Sequence, residues 1–312
     1  YDENEILIND LSKKKININE PNLNKELNKN FKKITFTNEI NDIAKSDLIF
    51  ISLDVPTDLK GNSNYNKIYN ILKLINKNKL NNSPVIILSQ LYPGFCNELI
   101  KKFNNPIYYQ VETLVFGEAI KRASFPERII IGSKNKKIEN KSYKYLLNKF
   151  DCPIINMNFK TAEMTKISIN IFLISTAMTA NFLSILSEKI NYDWSLVVKS
   201  LRLDKRIGKY AYLNPSLGLS GGNLERDLKT LEKISKKKID ISIINSWKKI
   251  SNLRKFWISG ILSKLLKTQS IKTISLLGLS YKINTNSIKN SNAIFTSQQF
   301  KGIFFLGYDP VV

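Results

Sequence analysis

The sequence predicts an α/β protein in which two sheets are separated by a helical middle. Three observations lead there. Short apolar, β-branched runs alternate with helix-period stretches through the first half. A long apolar stretch dotted with Ser and Thr follows, and two strand-like runs come last.

Taken in order, residues 34–37, 48–53, 85–89, 107–111 and 129–132 read as short buried strands. Amphipathic stretches at 65–79 and 95–103 fall between some of them. Alternation of this kind argues for a parallel sheet covered by helices. From Thr161 the pattern becomes helical, with one long helix to about Ile190, shorter ones at 193–203 and 224–238, and a long one at 241–266. Residues 273–279 and 303–308 return to strand character.

The chain has 312 residues, enough for two or three domains with cores of their own. It is 43% hydrophobic and carries a net charge of +22. Such charge raises nucleic acid or an acidic membrane as partners. The lysines, however, are spread among many Asn and Ile residues, as AT-rich codons supply, and cluster only briefly, as at Lys13-Lys14-Lys15. A solvated surface, or an anionic small molecule, accounts for them, so neither a nucleic-acid nor a membrane partner is expected. The 161–190 helix is interrupted by Ser175, Thr176, Thr179, Asn181, Ser184 and Ser187 and never reaches ~18 consecutive apolar residues. A buried or dimer-forming helix is the expectation.

With no histidine, Ser-His-Asp and Cys-His machinery and His-ligated metal sites are excluded. Cys96 and Cys152 form neither a metal pattern nor a disulfide framework, so no metal is expected and a reducing cytoplasm is the default.

Eight short motifs then occur in order. They are Glu20-Pro21-Asn22-Leu23; Ser46 to Ser52 running into Val55-Pro56-Thr57; Ser89-Gln90-Leu91-Tyr92-Pro93-Gly94; and Glu112-Thr113-Leu114 with Gly117, Ala119 and Pro126-Glu127-Arg128. Next come Ala162-Glu163-Met164-Thr165-Lys166 leading to Asn170, and Leu203-Asp204-Lys205-Arg206-Ile207-Gly208. The last two are Gly218-Leu219-Ser220-Gly221-Gly222-Asn223-Leu224-Glu225-Arg226-Asp227, and Gly278-Leu279-Ser280-Tyr281-Lys282 with Asn284-Thr285. Each alone is weak. Together they resemble the UDP-glucose/GDP-mannose (nucleotide-sugar) dehydrogenase family along essentially the whole chain, in a variant that lacks the family cysteine.

The resemblance implies a Rossmann-like NAD-binding domain at 1–160, a central helical dimerisation domain at 161–262 and a partial C-terminal nucleotide-sugar-binding domain at 263–312. Both ends read as cut. Tyr1 stands where an initiator methionine is expected, and the Gly-x-Gly-x-x-Gly turn that would precede Asp2 is absent. That turn brings a pyrophosphate to a helix N-terminus, so NAD affinity is expected to be weak. A naturally shortened relative is the alternative to a fragment.

Lys166 and Asn170 are four apart and face the same way on a helix, where a cation and an amide can hold a water or alkoxide between them. By resemblance Lys166 polarises the sugar oxygen, Asn170 orients it, Asp227 is the carboxylate base working through water, and Glu112 is a second acid. Asn223 occupies the position of the family cysteine. A thiolate adds to the intermediate aldehyde before the second hydride leaves; an amide cannot. Leu219 and Ser220 stand in place of a Phe and a Gly, which implies a reshaped sugar pocket, and Arg226 replaces a lysine.

For NAD the resemblance implies Asp2, Pro56, Thr57, Gln90 and Lys289. For the UDP- or GDP-linked sugar it implies Leu114, Arg206, Tyr212, Gly221 and Lys282, with a homodimer through the 161–190 helix. The expected activity is a cytoplasmic NAD-dependent oxidation of the sugar CH–OH group that omits the cysteine-dependent second step. A non-catalytic nucleotide-sugar-binding protein or dimeric scaffold is the alternative.

Overall fold

The structure is a computed structural model that describes residues 1–58, 62–78, 80, 83–220, 222–281, 286–288 and 290–312. The chain forms two compact units, Tyr1–Lys166 and Ile167–Val312.

The first unit is built on a five-stranded sheet whose spatial order follows the chain: β1 (Ile49–Ile51), β2 (Val85–Ile87), β3 (Ile107–Gln110), β4 (Ile129–Ser133) and β5 (Ile154–Asn158). All neighbours are parallel except β3 and β4, which run antiparallel. Every residue of β2 and β4 is buried, which is why these strands read as continuous apolar runs rather than alternating ones. The helices of this unit are α1 (Glu5–Ser12), α2 (Leu23–Asn30), α3 (Asn66–Lys77), α4 (Phe95–Leu99), α5 (Ala119–Ser124) and α6 (Lys141–Leu147). α3 buries Ile68, Leu72 and Ile75, an i, i+4, i+7 stripe. Ile86, Tyr108, Ile129, Ile131, Tyr143 and Leu147 form one apolar cluster around α6, each fully buried aliphatic side chain contributing about 1.5–3 kcal/mol.

Helix α7 (Phe159–Ile190) begins in this unit. Its first turns approach β4 closely at Gly132, where a Cβ would sit 2.8 Å from that of Ala162 and 3.2 Å from the Phe159 Cα. Only glycine permits that approach.

The second unit continues α7 and adds α8 (Trp194–Leu203), α9 (Asn223–Ser235), α10 (Ser242–Lys255), α11 (Trp257–Thr268) and α12 (Asn292–Ser297). It closes with the parallel pair β6 (Thr273–Leu277) and β7 (Phe304–Tyr308). Ile174 and Met178 of α7 pack with Leu219, Leu228 and Ile244, joining α7, α9 and α10 in one core. By length and composition alone α7 could cross a membrane, and a third of its most apolar window is buried inside the protein.

Three expectations are corrected. Residues 34–37 form no strand: Ile34 has extended dihedrals, and the Thr37 carbonyl accepts the Asp2 N–H at 3.1 Å, but no ladder forms beside it among the described residues. Its alternating Ile-Thr-Phe-Thr composition has strand character, but composition does not supply a partner strand. The helix expected at 241–266 is two helices, broken at Phe256 (φ −88°, ψ 0°). At this break Arg254 donates to the Ser216 carbonyl at 3.0 Å and to Glu188 at 3.3 Å, while the Trp257 indole N–H reaches Glu188 at 3.0 Å. The 95–103 segment is helical only as far as Leu99.

Candidate active site

In the first unit the parallel strands β1, β2 and β3 release three segments at one carboxyl edge. These are the Asp54–Thr57 region, residues 89–94 and residues 112–118. That edge is where open α/β sheets bind dinucleotides. The first two segments are tied together, since the Ser89 hydroxyl donates to the Leu53 carbonyl at 2.6 Å. Pro56 is exposed and its carbonyl accepts the Asn64 N–H at 2.9 Å; Thr57 bridges to Ser63; Gln90 is half-buried. Asp2 and Glu3 share with residues 48–54 a cavity of about 460 Å³ along the outer edge of β1. One Asp2 oxygen accepts the Asn4 N–H at 2.9 Å.

The 89–94 turn is clamped twice more. Tyr92 stacks edge-on against Phe95 and Tyr65, and its hydroxyl donates to Glu98 at 2.8 Å. Burial, then the Glu98 carboxylate, push the Tyr92 phenol far above its ordinary range. Gly94, at φ 106°, caps α4. Its N–H and that of Cys96 donate to the two oxygens of Glu163 at 2.5 and 2.8 Å. Glu163 is fully buried on α7, and burial raises its pKa against the lowering effect of those two N–H groups. Burial likewise pushes the Cys96 thiol well up.

Glu112 is half-buried and accepts the Leu114 N–H at 2.6 Å, which holds the turn that leaves the Leu114 side chain 43% exposed. The far side of the same segment is fixed by Glu20, whose oxygens accept the N–H groups of Gly117 and Ala119, each at 2.8 Å.

In the second unit Asn170 of α7 and Asp227 of α9 are both buried, and the Asn170 amide donates to the Asp227 carboxylate. Lys166 is half-buried one helical turn before Asn170. Arg226 is only 7% exposed, and its Nε lies 3.7 Å from an Asp227 oxygen. The Arg226 Nη2 donates to the Asn223 side-chain oxygen at 3.1 Å. Asn223, the first residue of α9, is therefore held by the guanidinium, which keeps a permanent cation beside the buried carboxylate.

The loop before α9 is set by Gly218 at φ 87°, and the Leu219 N–H donates to the Ser251 hydroxyl at 2.9 Å. Leu219 itself is 6% exposed and packs against Ile174 and Leu228. The expectation that it reshapes a sugar pocket is corrected, because it is a core residue.

Arg206 is exposed and paired with Asp204 through two bonds of 3.0 and 2.6 Å, and Tyr212 is 49% exposed. Gly221, Lys282 and Lys289 lie outside the described residues. Sequence reasoning assigned no part to Glu20, Glu163 or Ser251. The first two stood in quoted motifs, but their partners are backbone N–H groups, which the sequence does not reveal.

The residues at the sheet edge fit a dinucleotide cofactor: adjoining carboxyl-end loops, a carboxylate at Asp2 and hydroxyl and amide groups at Thr57 and Gln90.

Residues 1–151 match the family model for the NAD binding domain of the UDP-glucose/GDP-mannose dehydrogenase family, and residues 160–252 match that for its central domain. A UDP-glucose 6-dehydrogenase of Rickettsia bellii is 29% identical over 327 residues, covering 99% of this chain and 74% of the relative. The UDP-glucose 6-dehydrogenase TuaD of Bacillus subtilis is 28% identical over 311 residues, covering 95% and 67%. Among solved structures, a UDP-glucose dehydrogenase of Pyrobaculum islandicum superposes with a TM-score of 0.88 at 20% identity, covering 98% of this chain and 74% of that one. A UDP-D-ManNAc dehydrogenase of Pyrococcus horikoshii gives 0.86 at 21%, covering 100% and 77%.

Proposed function

The chain belongs to the UDP-glucose/GDP-mannose dehydrogenase family, NAD-dependent oxidoreductases of nucleotide sugars, and from that premise we propose that it oxidises a sugar alcohol to the carbonyl and stops there. The observation that carries this reading is the buried Asn170–Asp227 pair beside an asparagine, not a thiol, at position 223.

Bound NAD would supply the hydride acceptor. Asp227 accepts the hydroxyl proton through a water, so that the C–H electron pair leaves as hydride and the oxygen becomes a carbonyl. Lys166 stabilises the developing oxyanion, and Asn170, held by Asp227, orients the same oxygen. Asn223 has no nucleophilic electron pair to offer the aldehyde: its oxygen accepts from Arg226 and its nitrogen is an amide. By the family resemblance Glu112 is assigned as a second acid.

Asp2, Pro56, Thr57, Gln90 and Lys289 take NAD, and Leu114, Arg206, Tyr212, Gly221 and Lys282 take the UDP- or GDP-linked sugar. The three-part division at 1–160, 161–262 and 263–312 is supported by where the two family models match. A homodimer through the 161–190 helix is supported by exposed Phe172 and Phe182, 75% and 52% accessible. The setting is cytoplasmic polysaccharide biosynthesis, without nucleic-acid or membrane partners.

The test is to incubate the protein with NAD and a panel of UDP-, GDP- and dTDP-sugars and count NADH formed per sugar consumed. One per sugar supports the reading, and two, with a uronic acid product, refute it. No NADH but tight sugar binding favours the second reading, a binding or scaffold protein, to which the Arg226–Asn223 bond also lends itself.

A further inference from the structure

Residues 89–94 contribute Gln90 to the NAD site in the reading above, yet the turn is short and ends in a glycine at φ 106°, a conformation open to few other residues. Something must hold its backbone in one place. Its entry is fixed by the Ser89–Leu53 bond and its middle by the Tyr92, Phe95 and Tyr65 rings. Its exit is fixed by a carboxylate 67 residues away in sequence. Glu163 is fully buried, and both of its oxygens are spent on backbone N–H groups of that exit. Burying a carboxylate is costly unless it is hydrogen-bonded, so a buried acid with this aim is there for the bonds it makes. Glu163 also sits three residues before Lys166 on α7. A rigid helix therefore carries both the anchor of the cofactor turn and the lysine that polarises the sugar oxygen.

We propose that Glu163 is the positioning residue for the cofactor turn: reaching from the helix that carries Lys166, its carboxylate holds Gly94 and Cys96 and fixes residues 89–94 for NAD. The proposal rests on the functional reading above. Glu163 touches neither substrate nor cofactor and acts through the turn.

The test uses the whole protein and three variants: Glu163→Gln, Gly94→Ala and Leu147→Ala. Glutamine keeps one acceptor oxygen but turns an NH2 toward the second backbone N–H. Gly94→Ala strains the same turn from its other side, since φ is 106° there. Leu147→Ala destabilises the same unit through its core without touching the turn. NAD and UDP-glucose affinities are measured by calorimetry, and alkylation of Cys96 by iodoacetamide by mass spectrometry. The half-buried Cys152 is the internal reference.

The expected result is that Glu163→Gln and Gly94→Ala weaken NAD about tenfold, equivalent to ~1.4 kcal/mol, and leave UDP-glucose affinity within about twofold. Both should open Cys96, which is fully buried in the wild type, to alkylation, with saturating NAD slowing the reaction. Leu147→Ala should lower the melting temperature without changing NAD affinity. If Glu163→Gln keeps Cys96 closed, or opens it while NAD binds as in the wild type, the proposal falls alone. If both affinities decline together and in step with the Leu147→Ala stability loss, the role is structural and the proposal is overturned. If the wild type binds no NAD, the functional reading fails and takes the proposal with it.

Discussion

The Asn170 amide donates to the Asp227 carboxylate, tying the middle of α7 to the first turns of α9 with both groups buried. The bond fixes the amide orientation and leaves the second carboxylate oxygen facing Arg226 at 3.7 Å. In the proposed mechanism that carboxylate is the proton acceptor. Asp227→Asn keeps the shape and removes the basicity. It should lower kcat by about 10²-fold or more, in the range for loss of a general base, while nucleotide-sugar affinity changes little. Steady-state NADH absorbance with calorimetric binding checks this, and wild-type turnover in the variant would remove Asp227 from the mechanism. The same variant leaves the buried Arg226 without its anionic neighbour, for a stability loss of about 1–3 kcal/mol.

Asn223→Cys places a thiol where the family has one, at the first residue of α9. It also releases the Arg226 guanidinium from the Asn223 oxygen. The thiolate can add to the aldehyde, and the resulting thiohemiacetal can give up a second hydride to a second NAD, leaving a thioester for water to cleave. The expected change is from one to two NADH per sugar, with a uronic acid in place of the carbonyl product. A count that stays at one would show that the pocket, and not the missing thiol, ends the reaction. Adding Arg226→Lys is expected to raise the rate of the second step, since the single ammonium of lysine lacks the guanidinium fork and leaves the introduced thiol unencumbered.

How much of this was legible in the sequence depends on whether the determining contact is local. The strands β2 and β4 announce themselves because both faces are covered and every residue is apolar or small. The long α7 is legible from its sustained apolar run, although only a third of its most apolar window is buried. Residues 34–37 have a similar composition but no pairing neighbour among the described residues, and composition does not report pairing. The break at Phe256 depends on Arg254 and Trp257 both turning to Glu188, a residue on another helix. The catalytic set was found by motif, whereas the contact that makes it a site, Asn170 with Asp227, spans 57 residues. Glu20 and Glu163 show the limit most clearly. Each stood inside a recognised motif, but their partners are backbone N–H groups, which leave no mark in a sequence, 97 and 67 residues away.

Gly218 controls the loop that delivers Asn223. Its φ is 87°, and a Cβ there would lie 2.5 Å from the Ser251 carbonyl oxygen, a backbone atom that cannot step aside cheaply. Gly218→Ala combines left-handed strain with overpacking against α10, for a cost of about 3 kcal/mol. Denaturant unfolding followed by circular dichroism should show it as a lower midpoint at unchanged slope. Because Leu219 is anchored to Ser251, the displaced loop should also reduce turnover in the protein that remains folded. A variant with wild-type midpoint would mean that α10 yields at Ser251.

Asp309 links β7 to the segment that follows β6. One oxygen accepts from Leu279 and Ser280 at 2.7 and 2.9 Å, and the other from Val311 and Val312 at 2.9 and 3.3 Å. The Ser280 N–H, followed by those of Val311 and Leu279, holds this carboxyl far below the ordinary carboxylate range. A depressed acid pKa contributes stability that is fully present above the unfolded value, about 3.9, and is lost as pH falls through the folded one. The carboxylate is solvated, so the effect is read as a pH trend. Asp309→Asn removes that linkage. The wild type should melt above the variant by a constant margin from pH 7 to about 5, and the margin should shrink below about pH 4. Glu232, lowered by Lys248, also destabilises the protein in acid, but it does so in both proteins and cancels in the difference. A margin that stays constant down to about pH 2 would show that the four N–H bonds to Asp309 do not hold in solution.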